Sequence, residues 1–400
     1  MVASPSARKF VVFLTVCVDF IGFGLILPLL TRYAEDFGAG GVQIGILFLS
    51  YSLMQMLVSP WWGRLSDKWG RKPVLMISIG GNAVSLALAA MAGSYAWLLV
   101  ARVLSGILTS NVAVAAAYIA DMTDGEERSV GMGMLGAARG IGFVLGPIIG
   151  GELSVFGIAA PFWGAALLAT VNFLAAVIVL PETAPKQDSR MRTGFWASLK
   201  VMRRNPLFEK ILTIAFVQVV AFSMLEMAYV LFIERRFELN PTQTTLYAGR
   251  VFTFIGVVLA LVQGLLLRRL VVIFSEATLL KAGISMVLAA MVLIPVTPVG
   301  VWPFFLFATA LAGGGQALVA PTLLSLVSRL AQDSAQGATM GAYQSVQSLA
   351  RVVGPLCAGI LFDLSGENLP YQVAAGLTAL ALWRAYRTFG SGSESRFSAL

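Results

Sequence analysis

Three ionisable residues sit where an apolar chain has least reason to carry them. Asp19 lies ten residues into the run that begins at Phe10, Glu226 sits within Phe222-Ser223-Met224-Leu225-Glu226-Met227, and Arg102 follows Trp97 in a third apolar stretch. A charge at mid-bilayer costs about 2.5–3.5 kcal/mol on insertion scales, so such residues are retained along pathways or against partners. Low dielectric disfavours the charged form of a carboxyl. An acid held there can exchange a proton for a cationic or polar ligand. Glu226, with the longest apolar surroundings, is the first candidate for a proton or substrate site. Asp19 is the second, and Gly22 and Gly24 beside it let another helix approach. A structural reading stays open for all three: each acid can bond across a helix interface, and Arg102 can be the interior partner of Asp19. Arg139, Arg250 and Arg351 also fall inside apolar segments. They read as cavity-lining or structural, and together they could attract an anionic substrate.

Other chemistries lack their residues. The chain has no histidine, so a proton relay must use carboxylates. Cys17 and Cys357 both lie in apolar segments and support neither a disulfide framework nor a thiolate metal site. There is no G-x-x-x-x-G-K-[ST] phosphate loop, and the glycine-rich stretches fall inside helices. No metal, cofactor or enzymatic activity is expected.

Composition says what must position the acids. Of 400 residues, 58% are hydrophobic and 12% charged, with a mean hydropathy of +0.83. Soluble domains carry about 25% charged residues, so lipid must be the solvent for much of this surface. Apolar windows of about 20 residues fall at 10–30, 42–62, 74–93, 96–120, 130–152, 159–180, 209–233, 243–267, 278–297, 301–328, 336–362 and 370–388. Arg384 and Arg387 make the last the weakest. The first window is too long for a signal-peptide core and reads as a retained helix.

This is an all-α integral membrane chain of twelve spans in two six-helix halves, 1–180 and 209–390. A cytoplasmic linker at 181–208 joins them, and a tail follows at 391–400. With both termini cytoplasmic, the inner loops hold 21 of the 28 Lys and Arg residues and the outer loops 3. That excess satisfies the positive-inside rule and assigns the basic charge to topology rather than nucleic acid. A shift of 208 residues aligns Gly146-Pro147 with Gly354-Pro355, Gly151 with Gly359, Gly133 with Gly341 and Gly106 with Gly314. Parallel repeats of this kind enclose a midplane cavity between the halves.

After the second window stands Gly63-Arg64-Leu65-Ser66-Asp67-Lys68-Trp69-Gly70-Arg71-Lys72. Gly63 and Gly70 permit a tight connection there, and the charges can latch helices that must separate. The segment resembles the major facilitator signature G-x-L-[ST]-D-[RK]-x-G-R-[RK]. Arg102-Val103-Leu104-Ser105-Gly106 resembles that family's R-x-x-x-G element, and Gly142, Gly146, Pro147, Gly150 and Gly151 resemble its antiporter signature. Gly142, Gly146 and Gly150 share one helix face and permit close packing, while Pro147 removes a backbone bond. Asp19-Phe20-Ile21-Gly22-Phe23-Gly24, followed by Leu27-Pro28-Leu29, is similar to the first helix of tetracycline and multidrug proton antiporters.

The resemblance implies a major facilitator fold in which Asp67 lies near the start of helix 11, Arg71 pairs with Asp121, and Arg102 couples proton movement to conformation. It implies a proton-coupled antiporter of the cell membrane, a monomer exporting lipophilic or cationic small molecules. A symporter for a small metabolite, a lipid translocator and a transporter-like sensor are the alternatives. Ser85 stands where the tetracycline exporters carry an aspartate, which argues against tetracycline itself.

Overall fold

The computed structural model describes residues 5–109, 114–115, 118–119, 121, 126–182, 206–330 and 336–389. Most of the expected linker, the tail at 391–400, and the side chains of Asp67 and Arg139 lie outside the described residues. The elements are α1 (Pro5–Glu35), α2 (Gly41–Trp69), α3 (Arg71–Ala90), α4 (Tyr95–Leu108), α5 (Glu126–Leu153) and α6 (Ala160–Val179). They continue with α7 (Pro206–Arg236), α8 (Pro241–Ile273), α9 (Glu276–Leu293), α10 (Trp302–Leu330), α11 (Gln336–Ser365) and α12 (Leu369–Thr388). One π turn at Val262–Leu266 interrupts α8.

No strand occurs among the described residues. Ten of these helices are long and apolar enough to cross a membrane. The described part of α4 is shorter, and α12 carries Arg384 and Arg387 near its end. At 31 residues α1 is about 46 Å long, well beyond the roughly 30 Å hydrocarbon thickness. Its ends therefore reach past the expected window of 10–30.

The chain divides into two compact units. The first holds Met1–Ala39, Ser50–Arg190 and Leu239–Thr253; the second holds Gly40–Leu49, Met191–Glu238 and Phe254–Leu400. In the first unit α1 packs on α5 and α6, and α3 packs on α4 and α6. In the second, α7 packs on α11 and α12, and α9 packs on α10 and α12. The same pairings thus recur six helices later. Each unit has an apolar core in that arrangement: Val12, Val16, Leu75, Ile79 and Ala176 in one, Ile211, Leu280, Ile284 and Leu323 in the other.

Glycine sets how closely these helices approach. A Cβ on Gly142 would lie 2.5 Å from Phe20 Cβ, one on Gly146 would lie 2.5 Å from the Ile21 oxygen, and one on Gly150 would lie 2.8 Å from the Leu25 oxygen. One glycine face of α5 therefore rests on the backbone of α1. Gly24 meets Pro147 in the same seam, whereas the position of Gly22 has only Leu86 at 4.0 Å. In the second unit Gly354 takes the corresponding place, its Cβ position 2.8 Å from the Val220 oxygen of α7.

Two short helical starts join the unit that does not contain the rest of their sequence half. Gly249 of α8 packs on Pro147 and Gly151 of α5 within the first unit. Gly41 and Gly45 of α2 pack on Gly359 and Pro355 of α11 within the second. The 208-residue shift carries Gly41 to Gly249, Pro147 to Pro355 and Gly151 to Gly359, so it relates the two docks. Asp363 adds a cap to one of them, accepting from the amides of Gly41 at 2.7 Å and Val42 at 2.8 Å.

Gly146→Leu should destabilise the first unit by about 1–3 kcal/mol through overpacking. A lowered melting temperature of the purified protein will show it. Gly136→Leu, placed where a Cβ meets nothing within 4 Å, should leave the melting temperature unchanged.

Candidate functional site

In the first unit, α1 delivers Asp19 to α3, where Asn82 Nδ2 donates to Asp19 Oδ1 at 3.2 Å. Asn82 is buried. One turn earlier, Thr15 donates to the Val11 oxygen at 2.9 Å and contacts Asn172 Oδ1 at 3.3 Å. Sequence reasoning missed both asparagines. The available signal was an amide side chain inside an apolar run, which must find a partner or be costly to bury.

Arg102 does not form the ion pair with Asp19 that was one of its open readings. Its guanidinium carbon lies 4.6 Å above the Tyr51 ring, and the residue is 5% exposed. The cause is Gly106, one turn along α4. A Cβ there would sit 2.5 Å from the Tyr51 oxygen and 2.8 Å from Met54 Cβ. The R-x-x-x-G spacing thus seats α4 directly on α2 and brings the arginine over the ring. Gln55 Nε2 holds the Tyr51 hydroxyl at 3.1 Å and donates to the Thr109 oxygen at 3.3 Å. Phe23 continues the aromatic row, 6.0 Å from Tyr51 and 6.0 Å from Phe143.

The charged segment at 63–72 is less of a loop than its composition suggests. Gly63 stays within α2, which runs on to Trp69, so only Gly70 makes the turn, with φ +99°. Gly63 contributes its carbonyl instead, accepting from Ser66 Oγ at 2.8 Å. Arg71 Nε pairs with Asp121 Oδ2 at 2.8 Å, and its Nη1 donates to Ser66 Oγ at 2.6 Å. Their side chains are 10% and 13% exposed, so the pair is largely shielded from water. Gly70 offers α3 no side-chain cap. Glu182 supplies one, accepting from the amides of Arg71 at 2.8 Å and Lys72 at 3.4 Å. A carboxylate at a helix N-terminus is favoured by the helix dipole. Asp67 belongs to α2 by backbone, and its side chain falls outside the described residues.

In the second unit Glu226 lies on α7, half-buried, with Arg351 of α11 as the cation whose charge reaches it. The close contact of Gly354 with Ser223 and Val220 lies one turn from both residues and places those stretches of α7 and α11 together. Tyr343, Gln347 and Arg351 recur at i, i+4 and i+8 and form one stripe of α11, with Tyr343 and Gln347 joined side chain to side chain. Arg250 is elsewhere, paired with Glu152 of α5 at 3.0 Å; both are half-exposed. Ser85 is buried and donates to the Gly81 oxygen at 2.7 Å. Among the described residues no group of His, Cys, Asp and Glu could hold a metal ion.

The family model described as Major Facilitator Superfamily matches residues 12–355 and 280–396. The class C tetracycline resistance protein of Escherichia coli is 31% identical over 378 residues, which are 92% of this chain and 93% of that protein. The crystal structure of the human organic anion transporter MFSD10 superimposes with a TM-score of 0.71 at 28% identity, covering 96% of this chain and 99% of that one. The nucleoside transporter NupG gives a TM-score of 0.78 at 13% identity, covering 96% and 99%, a likeness of fold alone.

Arg71→Gln and Asp121→Asn should each destabilise the protein by about 3–5 kcal/mol, because each strands one member of a shielded ion pair. The double variant should cost less than the sum of the two. Denaturant unfolding of all four proteins in detergent measures the coupling.

Proposed function

The chain belongs to the Major Facilitator Superfamily, and from that premise we propose that it is a proton-coupled antiporter exporting lipophilic or cationic small molecules by alternating access. The observation that carries this is the pair of membrane-embedded acids. Asp19 on α1 and Glu226 on α7 fall within one residue of each other under the 208-residue shift. Each has polar company from a neighbouring helix, Asn82 for one and Arg351 for the other. Two titratable positions at nearly the same depth of corresponding helices suit a cycle that exchanges protons for substrate.

In this reading the halves 1–180 and 209–390 rock about a midplane cavity, with 181–208 as the cytoplasmic linker and both termini in the cytoplasm. Substrate enters from the cytoplasm or inner leaflet while an acid is deprotonated. Protonation from outside displaces it and resets the protein. The membrane potential contributes about 2.3 kcal/mol per elementary charge per 100 mV, enough to bias such a cycle. The cluster of Ser66, Arg71 and Asp121 acts as a latch on the inner side, and the α5 glycine face sets the seam beside Asp19. Arg102 couples the acid on α1 to conformation. One chain supplies both acids, so a monomer suffices.

The relatives' names support a small organic solute: tetracycline for the resistance proteins and organic anions for the human transporter. Tetracycline itself is disfavoured, because Ser85 brings no carboxylate to α3 and is already bonded to its own helix.

The test uses purified protein in liposomes with an acidic lumen, a lipophilic cationic dye and a lumenal pH probe. Dye should accumulate in the lumen as protons leave, and Glu226→Gln or Asp19→Asn should reduce the coupled flux at least tenfold. Flux indifferent to the pH gradient and to both substitutions overturns the proposal.

A further inference from the structure

Arg102 holds a charge that its surroundings do not use up. It is 5% exposed, its Nε has no hydrogen-bond partner, and no carboxylate among the described residues forms a salt bridge with it. A buried cation without an anion is costly. Tyr51 offsets part of that cost by taking the guanidinium against its ring at 4.6 Å. A cation–π contact uses none of the five guanidinium N–H donors in a hydrogen bond, and Nε has no acceptor. The ring therefore leaves donor capacity available to an oxygen ligand. Asp19, the nearest acid by sequence reasoning, is turned to Asn82 on α3.

The aromatic row that starts at the ring beneath this arginine has a definite chemistry. Phe23, Tyr51 and Phe143 stand in a row from three different helices, and all three residues are half-buried rather than sealed in the core. Gln55 anchors the tyrosine hydroxyl and so holds the ring beside Arg102. A ligand that satisfied both parts would have a flat apolar body for the rings and a planar two-oxygen anion for the guanidinium fork.

We propose that Arg102, Tyr51, Phe23 and Phe143 form a subsite in the first unit for aromatic carboxylates. It rests on the transport reading above and narrows the lipophilic part of its substrate class to aromatic molecules bearing an anionic group, alone or beside a cationic one. Gly106 belongs to the subsite indirectly, since the arginine reaches the ring only because α4 lies on the α2 backbone.

The experiment titrates 1-naphthoate and its neutral counterpart 1-naphthylmethanol into the purified full chain by calorimetry. Wild-type protein should bind the carboxylate about tenfold more tightly than the alcohol, as a charge-assisted bond requires. Arg102→Gln should bring that ratio to one, Arg102→Lys should keep part of it, and Tyr51→Leu should lower it. Monodisperse elution and melting temperature verify that each variant is folded. A ratio of one in wild-type protein, or a ratio that survives Arg102→Gln, overturns the subsite; the wild-type comparison needs no variant at all. Proton-driven flux of the cationic dye, measured in parallel, separates the two readings. Intact dye flux with no naphthoate preference removes the subsite alone, and a preference without dye flux removes the export cycle alone.

Discussion

Backbone-to-backbone contact between helices, made at glycine, is the interaction on which both units depend. Between helices in lipid, apolar side chains gain little from burying one another, because the surrounding acyl chains are equally apolar. Close packing and interhelical polar bonds must do that work. Along the seam of α1 and α5 the Cβ positions of Gly142, Gly146 and Gly150 fall 2.5–2.8 Å from α1 atoms, a space that only hydrogen fills. The seam of α7 and α11 meets the same condition at Gly354.

The same contacts place the charges. Gly106 seats α4 on α2, and Arg102 one turn away arrives over Tyr51. Gly354 seats α11 on α7, and Glu226 and Arg351 one turn away share a neighbourhood. Gly70 turns the chain between α2 and α3, so that Arg71 can reach Asp121 while its own amide is held by Glu182. Each ionisable group is thus registered by a residue with no side chain. The distances of the polar contacts follow from how near two backbones are allowed to come.

Much of this was readable from the chain, for reasons that differ by feature. The helices announce themselves because windows of twenty largely apolar residues have few other uses, and the glycine stripe of α5 is visible as a simple period. Partner choice was not readable. Tyr51, Asn82 and Glu182 are ordinary residues by type, and they matter through neighbours 51, 63 and 111 positions away. The segment at 63–72 misled in one respect. Two glycines among charges suggest a loop, yet Gly63 is held in α2 by the ladder around it, and a single residue of positive φ makes the whole turn. The grouping of Gly40–Leu49 with the second unit and Leu239–Thr253 with the first could be found only after the dock glycines were seen together.

The cap on α2 carries a consequence for how the protein is made. The first amides of a helix have no partner within it, and here Gly41 and Val42 wait for Asp363, which lies 322 and 321 positions later in the chain. Synthesis proceeds from the N-terminus, at about 5–20 residues per second. For most of the time the ribosome is at work, the start of α2 is in the nascent chain while its acceptor does not yet exist. Water or lipid headgroups must satisfy those amides meanwhile, which keeps that end near the membrane surface until α11 is inserted. Assembly of the second unit therefore closes around a segment that entered the bilayer among the first, and the last stage of biogenesis completes one of its earliest helices.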